Sequence, residues 1–87
     1  MTRREQWRKV LELEVQRWSI VPYGQLVSAV RDQQMYEIEF DSETYQVEIE
    51  ILEDTEQYVH VMVAVDDGSL PASILPVTDS FIRNKPF

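Results

Sequence analysis

The sequence predicts an α+β fold in which one or two N-terminal helices pack on one face of a four-stranded antiparallel β-meander. Three observations support this prediction. The 87 residues, 44% of them hydrophobic, suit one small soluble domain. The hydrophobic period changes from 3.6 to 2 at Tyr36. Polar turn segments then divide the chain at regular intervals. We therefore expect a single domain over 1–87, with a helical part at about 3–32, a sheet at about 35–76 and a short C-terminal turn at about 78–83.

The first third of the chain carries the helical pattern. Trp7, Leu11, Val15 and Trp18 recur at helical spacing, which predicts a helix over about 3–17 with one apolar face. Pro22 interrupts this pattern, because the residue before a proline avoids the helical region, while proline itself suits the first turn of a new helix. A second helix is predicted over about 22–32, and its buried stripe would be Leu26, Val27 and Val30.

Four segments with alternating apolar residues follow and predict half-buried strands. The turns between them are predicted at 41–44, 53–57 and 66–69, where polar residues and Gly68 are concentrated. Pro76 would end the last strand. The inward residues of the four strands would be Tyr36, Ile38 and Phe40; Tyr45, Val47, Ile49 and Ile51; Val59, Val61, Val63 and Val65; and Leu70, Ala72 and Ile74.

Strand register is predicted by requiring apolar residues to face apolar residues, because a slip of one residue reverses every side chain. This rule places Phe40 opposite Tyr45, Ile51 opposite Val59, and Val65 opposite Leu70. All three hairpins then fit one sheet in the order of the chain, with the helices on the apolar face.

The same registers predict which polar residues meet on the opposite, solvated face. Glu37 would lie opposite Glu48, and Glu50 opposite His60. The His60–Glu50 pair could be a proton-transfer couple or a cross-strand salt bridge, and the salt bridge is favoured because no concave pocket is predicted around it. The candidate binding surface comprises Glu37, Glu39, Glu48, Glu50, Tyr58, His60 and Met62.

The charge distribution favours a basic partner. The net charge is −8, and residues 36–67 contain eleven acidic residues and no Lys or Arg. Such a segment repels nucleic acid, so we expect no nucleic-acid binding. It favours encounter with a basic protein, or it serves to keep the chain soluble and monomeric.

Composition excludes several classes of site. The chain has no Cys, one His and two Gly, which excludes thiolate chemistry, multi-histidine metal sites and glycine-rich phosphate loops. We therefore expect no catalytic residue, metal or cofactor. No apolar run is long enough to span a membrane, so membrane association is not expected. The lack of cysteine favours a cytoplasmic location, and the expected state is a monomer or a weak homodimer.

The C-terminal half resembles a group of short bacterial proteins of unassigned function. The resemblance lies in four segments, Tyr45–Thr55, Tyr58–Val61, Val65–Ser69 and Pro76–Ile82. It implies a small bacterial α+β protein, and it brings no activity, ligand or catalytic residue. Size and charge also resemble those of toxin-neutralising immunity proteins, which is an analogy without a motif.

Three functional hypotheses follow from the sequence. The first is a non-enzymatic interaction module that presents the acidic sheet face to a basic protein. The second is a small enzyme or ligand-binding protein that uses His60 with the sheet-face carboxylates. The third is a structural protein that associates with itself. The scarcity of catalytic residue types favours the first and the third.

Overall fold

The computed structural model describes residues 3–31, 34–68 and 76–86. It confirms the predicted fold class, with two helices packed against a four-stranded antiparallel sheet that does not close. The strands are adjacent in chain order, so the sheet is a meander. The elements are α1 (Arg3–Ser19), α2 (Tyr23–Val30), β1 (Gln34–Phe40), β2 (Glu43–Asp54), β3 (Tyr58–Asp66) and β4 (Val77–Asn84).

The core lies between the helices and one face of the sheet, which we call the inner face. The inward residues of β3 are Val59, Val61, Val63 and Val65, and each is 0% exposed. Because β-branched residues pack well on a pleated surface, this strand suits the centre of the sheet. The helices cover the inner face of the sheet with a second set of buried residues, which are Val10, Leu11, Trp18, Leu26 and Val30.

A polar cluster joins α1 to the edge strand β1. Glu14 lies on the buried side of α1 and is only 6% exposed. Its carboxylate accepts a hydrogen bond from the Tyr36 hydroxyl, and Trp18 Nε1 donates to the same hydroxyl oxygen at 2.8 Å. Burial, together with the bond to Glu14, raises the pKa of Tyr36 above its usual value.

Arg17 completes this cluster from the solvent side. Its Nη1 lies 3.5 Å from Glu14 Oε1, and its guanidinium carbon lies 5.6 Å and 5.8 Å from the ring centroids of Trp18 and Tyr36. The guanidinium thus interacts with both aromatic rings and supplies a counter-charge to the buried carboxylate. Since α1 also packs closely against β4, it links the two edge strands of the open sheet.

The fourth strand lies in a segment for which the sequence predicted a turn. Residues 77–84 form β4, so the predicted C-terminal turn at about 78–83 is wrong. The predicted strand at Leu70, Ala72 and Ile74 lies outside the described residues. Asp79 and Arg83 occupy inner-face positions of β4 and break the apolar alternation, which explains the error. Arg83 Nη1 donates to the carbonyl oxygen of Val21 at 2.8 Å, which joins β4 to the link between the helices.

The first two hairpins are each shifted by two residues from the predicted registers. Phe40 lies opposite Glu43, and the intervening Asp41 and Ser42 have φ of 52° and 66°. Two positive φ values are typical of a two-residue type I′ turn, whereas four residues were predicted. Ile51 lies opposite Val61, and a β-bulge follows it. Because the shift is even, the residues before the bulge keep their predicted face, but their partners change.

The assignment of the two faces predicts a contrast between two isoleucines. Ile49 is 0% exposed on the inner face, and Ile82 is 58% exposed on the other face. We expect Ile49→Ala to lower the free energy of unfolding by about 2–5 kcal/mol, because it leaves a cavity in the core. Ile82→Ala should lower it by less than about 1 kcal/mol. Urea denaturation measures both, and equal losses would contradict this assignment.

The Glu14–Tyr36–Trp18 cluster predicts a loss of stability and a changed pH dependence for Tyr36→Phe. Loss of the hydroxyl removes hydrogen bonds to two buried polar groups, which should cost about 1–3 kcal/mol at neutral pH. A raised folded-state pKa stabilises the fold fully below the unfolded value of 10.0, and this contribution is lost as the pH rises above it. Alkaline unfolding should therefore be less steep in Tyr36→Phe than in the wild type. Identical slopes would show that Tyr36 does not titrate with unfolding.

Candidate functional site

The seven residues of the predicted binding surface lie on the face of the sheet that is turned away from the core, which we call the outer face. Glu37 and Glu39 are exposed on β1, and the other five residues are half-buried on the two central strands. Half-burial is expected there, because each central residue is flanked by side chains on two neighbouring strands.

The acidic residues of the outer face do not lie opposite one another on neighbouring strands, as the sequence predicted. The Glu37–Glu48 pair is wrong: Glu37 lies opposite Gln46, and Glu48 lies opposite Met35 and Ala64. Neutral side chains therefore alternate with the carboxylates across the strands. This arrangement avoids the destabilisation that directly opposed like charges would cause.

The observed register of β2 and β3 also does not place His60 opposite Glu50, the predicted acid–base pair. Glu50 lies opposite Met62, whereas His60 lies between Glu53 on β2 and Ile82 on β4. His60 Nε2 is 2.8 Å from Ser80 Oγ, so the contact made by the imidazole is with a hydroxyl of the edge strand. The two-residue shift and the bulge after Ile51 together account for the change of partner.

A turn fixes Tyr58 at one end of the outer face. Thr55 Oγ1 accepts hydrogen bonds from the backbone nitrogens of Gln57 at 3.1 Å and Tyr58 at 3.0 Å. The Tyr58 hydroxyl donates to the Glu53 carboxylate, and this bond raises the pKa of Tyr58. The Tyr58 ring therefore lies on the outer face, and its hydroxyl is hydrogen-bonded to Glu53 on the same face.

An ion pair joins the end of β2 to the residue that follows β4, beside this turn. Lys85 Nζ lies 2.7 Å from Asp54 Oδ1, and this contact raises the pKa of Lys85. The backbone nitrogen of Lys85 also donates to the carbonyl oxygen of Gln57 at 2.8 Å. The ammonium group of Lys85 is therefore paired with a carboxylate at the end of the sheet.

Sequence reasoning missed two exposed apolar residues of the outer face. Met35 is 65% exposed and Ile82 is 58% exposed. Met35 could have been found by extending the alternation of β1 one residue towards the N-terminus. Ile82 could not, because the segment around it was predicted to be a turn.

The outer face is strongly acidic. Among the described strand residues that point outward, Glu37, Glu39, Glu48, Glu50, Glu53 and Asp66 are acidic and none is Lys or Arg. Within the described part of the chain, no group of three or more His, Cys, Asp or Glu side chains could hold a metal ion. No helix in that part is both long and apolar enough to cross a membrane.

No protein-family model, curated protein or solved structure matches the chain. The chemistry of the outer face is therefore the basis for assigning a function.

The His60–Ser80 contact predicts the response of the imidazole to two substitutions. Ser80→Ala removes the oxygen that lies 2.8 Å from Nε2, so the ring ¹⁵N resonances of His60 should shift. Glu50→Gln should leave them nearly unchanged, since Glu50 lies opposite Met62. Two-dimensional NMR of ¹⁵N-labelled protein measures both effects. A response to Glu50→Gln alone would restore the pairing predicted from the sequence.

Proposed function

We propose that the protein is a non-enzymatic interaction module that binds a basic protein partner through the outer face of its sheet. The observation that supports this proposal is the set of six outward carboxylates on described strands that carry no outward Lys or Arg. A face of one charge sign attracts an oppositely charged surface and raises the rate of encounter.

Apolar residues within this face supply the second component of binding. Met35, Met62 and Ile82 lie opposite Glu48, Glu50 and His60, so thioether and alkyl groups are interleaved with polar ones. Charge complementarity mainly increases the association rate and excludes wrong partners, whereas buried apolar contacts slow dissociation. Tyr58 adds an aromatic ring at the end of the same face.

The size of the sheet limits the interface. Four strands about 4.8 Å apart and about eight residues long cover roughly 500 Å², which is less than the roughly 800 Å² per partner of a standard protein–protein interface. Affinity then depends on the match of charges and anchors more than on area. Strong salt dependence follows, because screening weakens exposed charge pairs.

The proposal extends to the cellular location and the oligomeric state of this module. A chain without cysteine suits a cytoplasmic location, and self-repulsion between acidic faces favours a monomer or a weak homodimer. Neutralisation of a cationic toxin, as by an immunity protein, is one instance of such a role. The bacterial origin implied by the sequence resemblance stays a prediction.

The proposal predicts that charge removal on the outer face slows association. A basic protein captured on the wild-type chain and then purified should associate about three- to tenfold more slowly with Glu37→Gln/Glu48→Gln, because two carboxylates that steer the encounter are lost. Met62→Ala should instead accelerate dissociation. Surface plasmon resonance at several salt concentrations separates the two rate constants.

A matched control removes two charges elsewhere. Glu12 lies on the exposed side of α1 and Glu56 in the loop before β3, and both are exposed. Glu12→Gln/Glu56→Gln changes the net charge equally, so it should alter the association rate much less. If both double variants slow association equally, net charge and not the outer face determines binding. Turnover of a small molecule that requires His60 would contradict the non-enzymatic assignment.

A further inference from the structure

The inner side of the edge strand β1 is only partly covered. Its inner-face residues Tyr36, Ile38 and Phe40 are half-buried. The residues opposite the first two, Val47 and Tyr45 on β2, are each 1% exposed. β2 is flanked by a strand on both sides, whereas β1 has a neighbour on one side only. A further strand beside β1 would therefore bury apolar surface that is now partly in water.

The backbone of β1 presents hydrogen-bonding groups at the same edge. Residues of antiparallel strands alternate between hydrogen-bonded and non-hydrogen-bonded pairs, and the pair that closes a two-residue turn is hydrogen-bonded. Phe40 and Glu43 close such a turn. The N–H and C=O groups of Met35, Glu37 and Glu39 therefore point away from β2. No described strand lies on that side of β1, so these groups are in position to pair with an added strand.

Two open cavities adjoin β1 at Tyr36, one on each side of the sheet. The inner cavity, of about 360 Å³, is also lined by Trp18 and Gln34, and the outer cavity, of about 180 Å³, by Glu37 and Gln46. When a peptide adds to a sheet edge, main-chain hydrogen bonds supply affinity, and pockets for its alternate side chains supply specificity. The edge of β1 offers both.

The side chains along this edge indicate the chemistry of the occupant. Glu37 and Glu39 are exposed on the outer side, whereas the inner side is apolar. A complementary strand therefore alternates basic with apolar residues. A second copy of this chain does not meet this requirement: if it were added antiparallel along the whole of β1, Glu37 would face the same residue of the other copy. Like charges placed in this way oppose pairing between identical edges.

We propose that β1 receives an extended segment of the basic partner as a fifth, antiparallel strand. Lys or Arg side chains of that segment lie opposite Glu37 and Glu39, and its apolar side chains extend the inner face beside Tyr36 and Ile38. The antiparallel direction continues the pairing of the existing strands. This inference rests on the proposed function, because it specifies the form in which the basic partner binds.

The probe is an acetylated and amidated peptide of the sequence Val-Lys-Val-Lys-Val-Lys-Val. In the proposed pairing its lysine N–H groups bond to β1, whereas its valine N–H groups point to solvent. Methylation of the three lysine backbone nitrogens should weaken binding at least about tenfold, because it removes three donors and inserts methyl groups between the strands. Methylation of the three valine nitrogens that follow a lysine is the matched control and should have little effect. Equal affinity of the two methylated peptides, or greater loss with the valine-methylated one, would overturn antiparallel addition.

Hydrogen exchange and ¹H–¹⁵N spectra locate the bound peptide on the protein. The amide protons of Met35, Glu37 and Glu39 should exchange at least about tenfold more slowly in its presence, because they gain acceptors. The amide proton of Ile38 already faces β2 and should change little. Shifts at Met62 without slower exchange in β1 would place the peptide on the centre of the outer face and overturn strand addition. A Val-Glu-Val-Glu-Val-Glu-Val peptide should not bind, and equal binding of it would contradict the basic occupant.

Two substitutions at one position separate the backbone contribution from the charge. Glu37→Gln removes the carboxylate alone, and Glu37→Pro also removes the N–H, which a sheet edge tolerates when that N–H faces solvent. Peptide binding should be at least about threefold weaker for Glu37→Pro than for Glu37→Gln, and equal binding would overturn the proposal. If Glu37→Pro does not fold, the methylated peptides make the same comparison on the wild-type chain.

Strand addition and the proposed function can fail separately. Absence of slower exchange in β1 with the lysine peptide overturns strand addition alone. The proposed function is overturned instead when a basic protein associates equally fast with the wild type and with Glu37→Gln/Glu48→Gln.

Discussion

The inward side chains of β3 are four valines, and each is inaccessible to solvent. Their burial requires a neighbouring strand on both sides and a helix above, because a single hairpin leaves such residues partly in water. β2 and β4 supply the flanking strands, and α1 packs against both β3 and β4. The placement of β2, β4 and α1 follows from the need to cover this strand. β1 extends the sheet beyond β2, and α2 packs against β2.

The burial of apolar side chains determines which face of the sheet a residue lies on. It determines less strictly which residue lies opposite on the neighbouring strand. Moving a strand by one residue exposes its whole apolar set, whereas moving it by two keeps every side chain on the same face. The sequence therefore predicted the seven outer-face residues but not their cross-strand neighbours. The register of the first hairpin depends on Asp41 and Ser42, whose positive φ values form a tight turn. Serine is not typical of that turn, which favours Asn-Gly or Asp-Gly, so the pattern gave no indication of it.

Polar residues that are turned towards the core are the second feature that the sequence could not predict. The burial of Glu14 depends on Tyr36, which is 22 residues away, and the inward position of Arg83 depends on the carbonyl oxygen of Val21, which is 62 residues away. A charged residue in an amphipathic pattern normally indicates a solvated position. Only the tertiary partner makes the buried position favourable, because a buried polar group is tolerated when it is hydrogen-bonded. β4 was missed for the same reason.

The acidic residues of the chain therefore form two sets with different physical roles. Glu14, Asp41 and Asp54 accept hydrogen bonds that join separate elements, and the buried Glu14 contributes most to the fold because exposed pairs contribute little. For Glu37, Glu39 and Glu50, the described part of the chain shows no such bond, and their mutual repulsion is reduced only by neutral neighbours and solvent. Such residues contribute little to stability. An oppositely charged surface would relieve their repulsion, so under the proposed function these carboxylates contribute to association and not to folding. The buried core and the proposed binding surface thus lie on opposite faces of one sheet, so substitutions on the outer face leave the core in place.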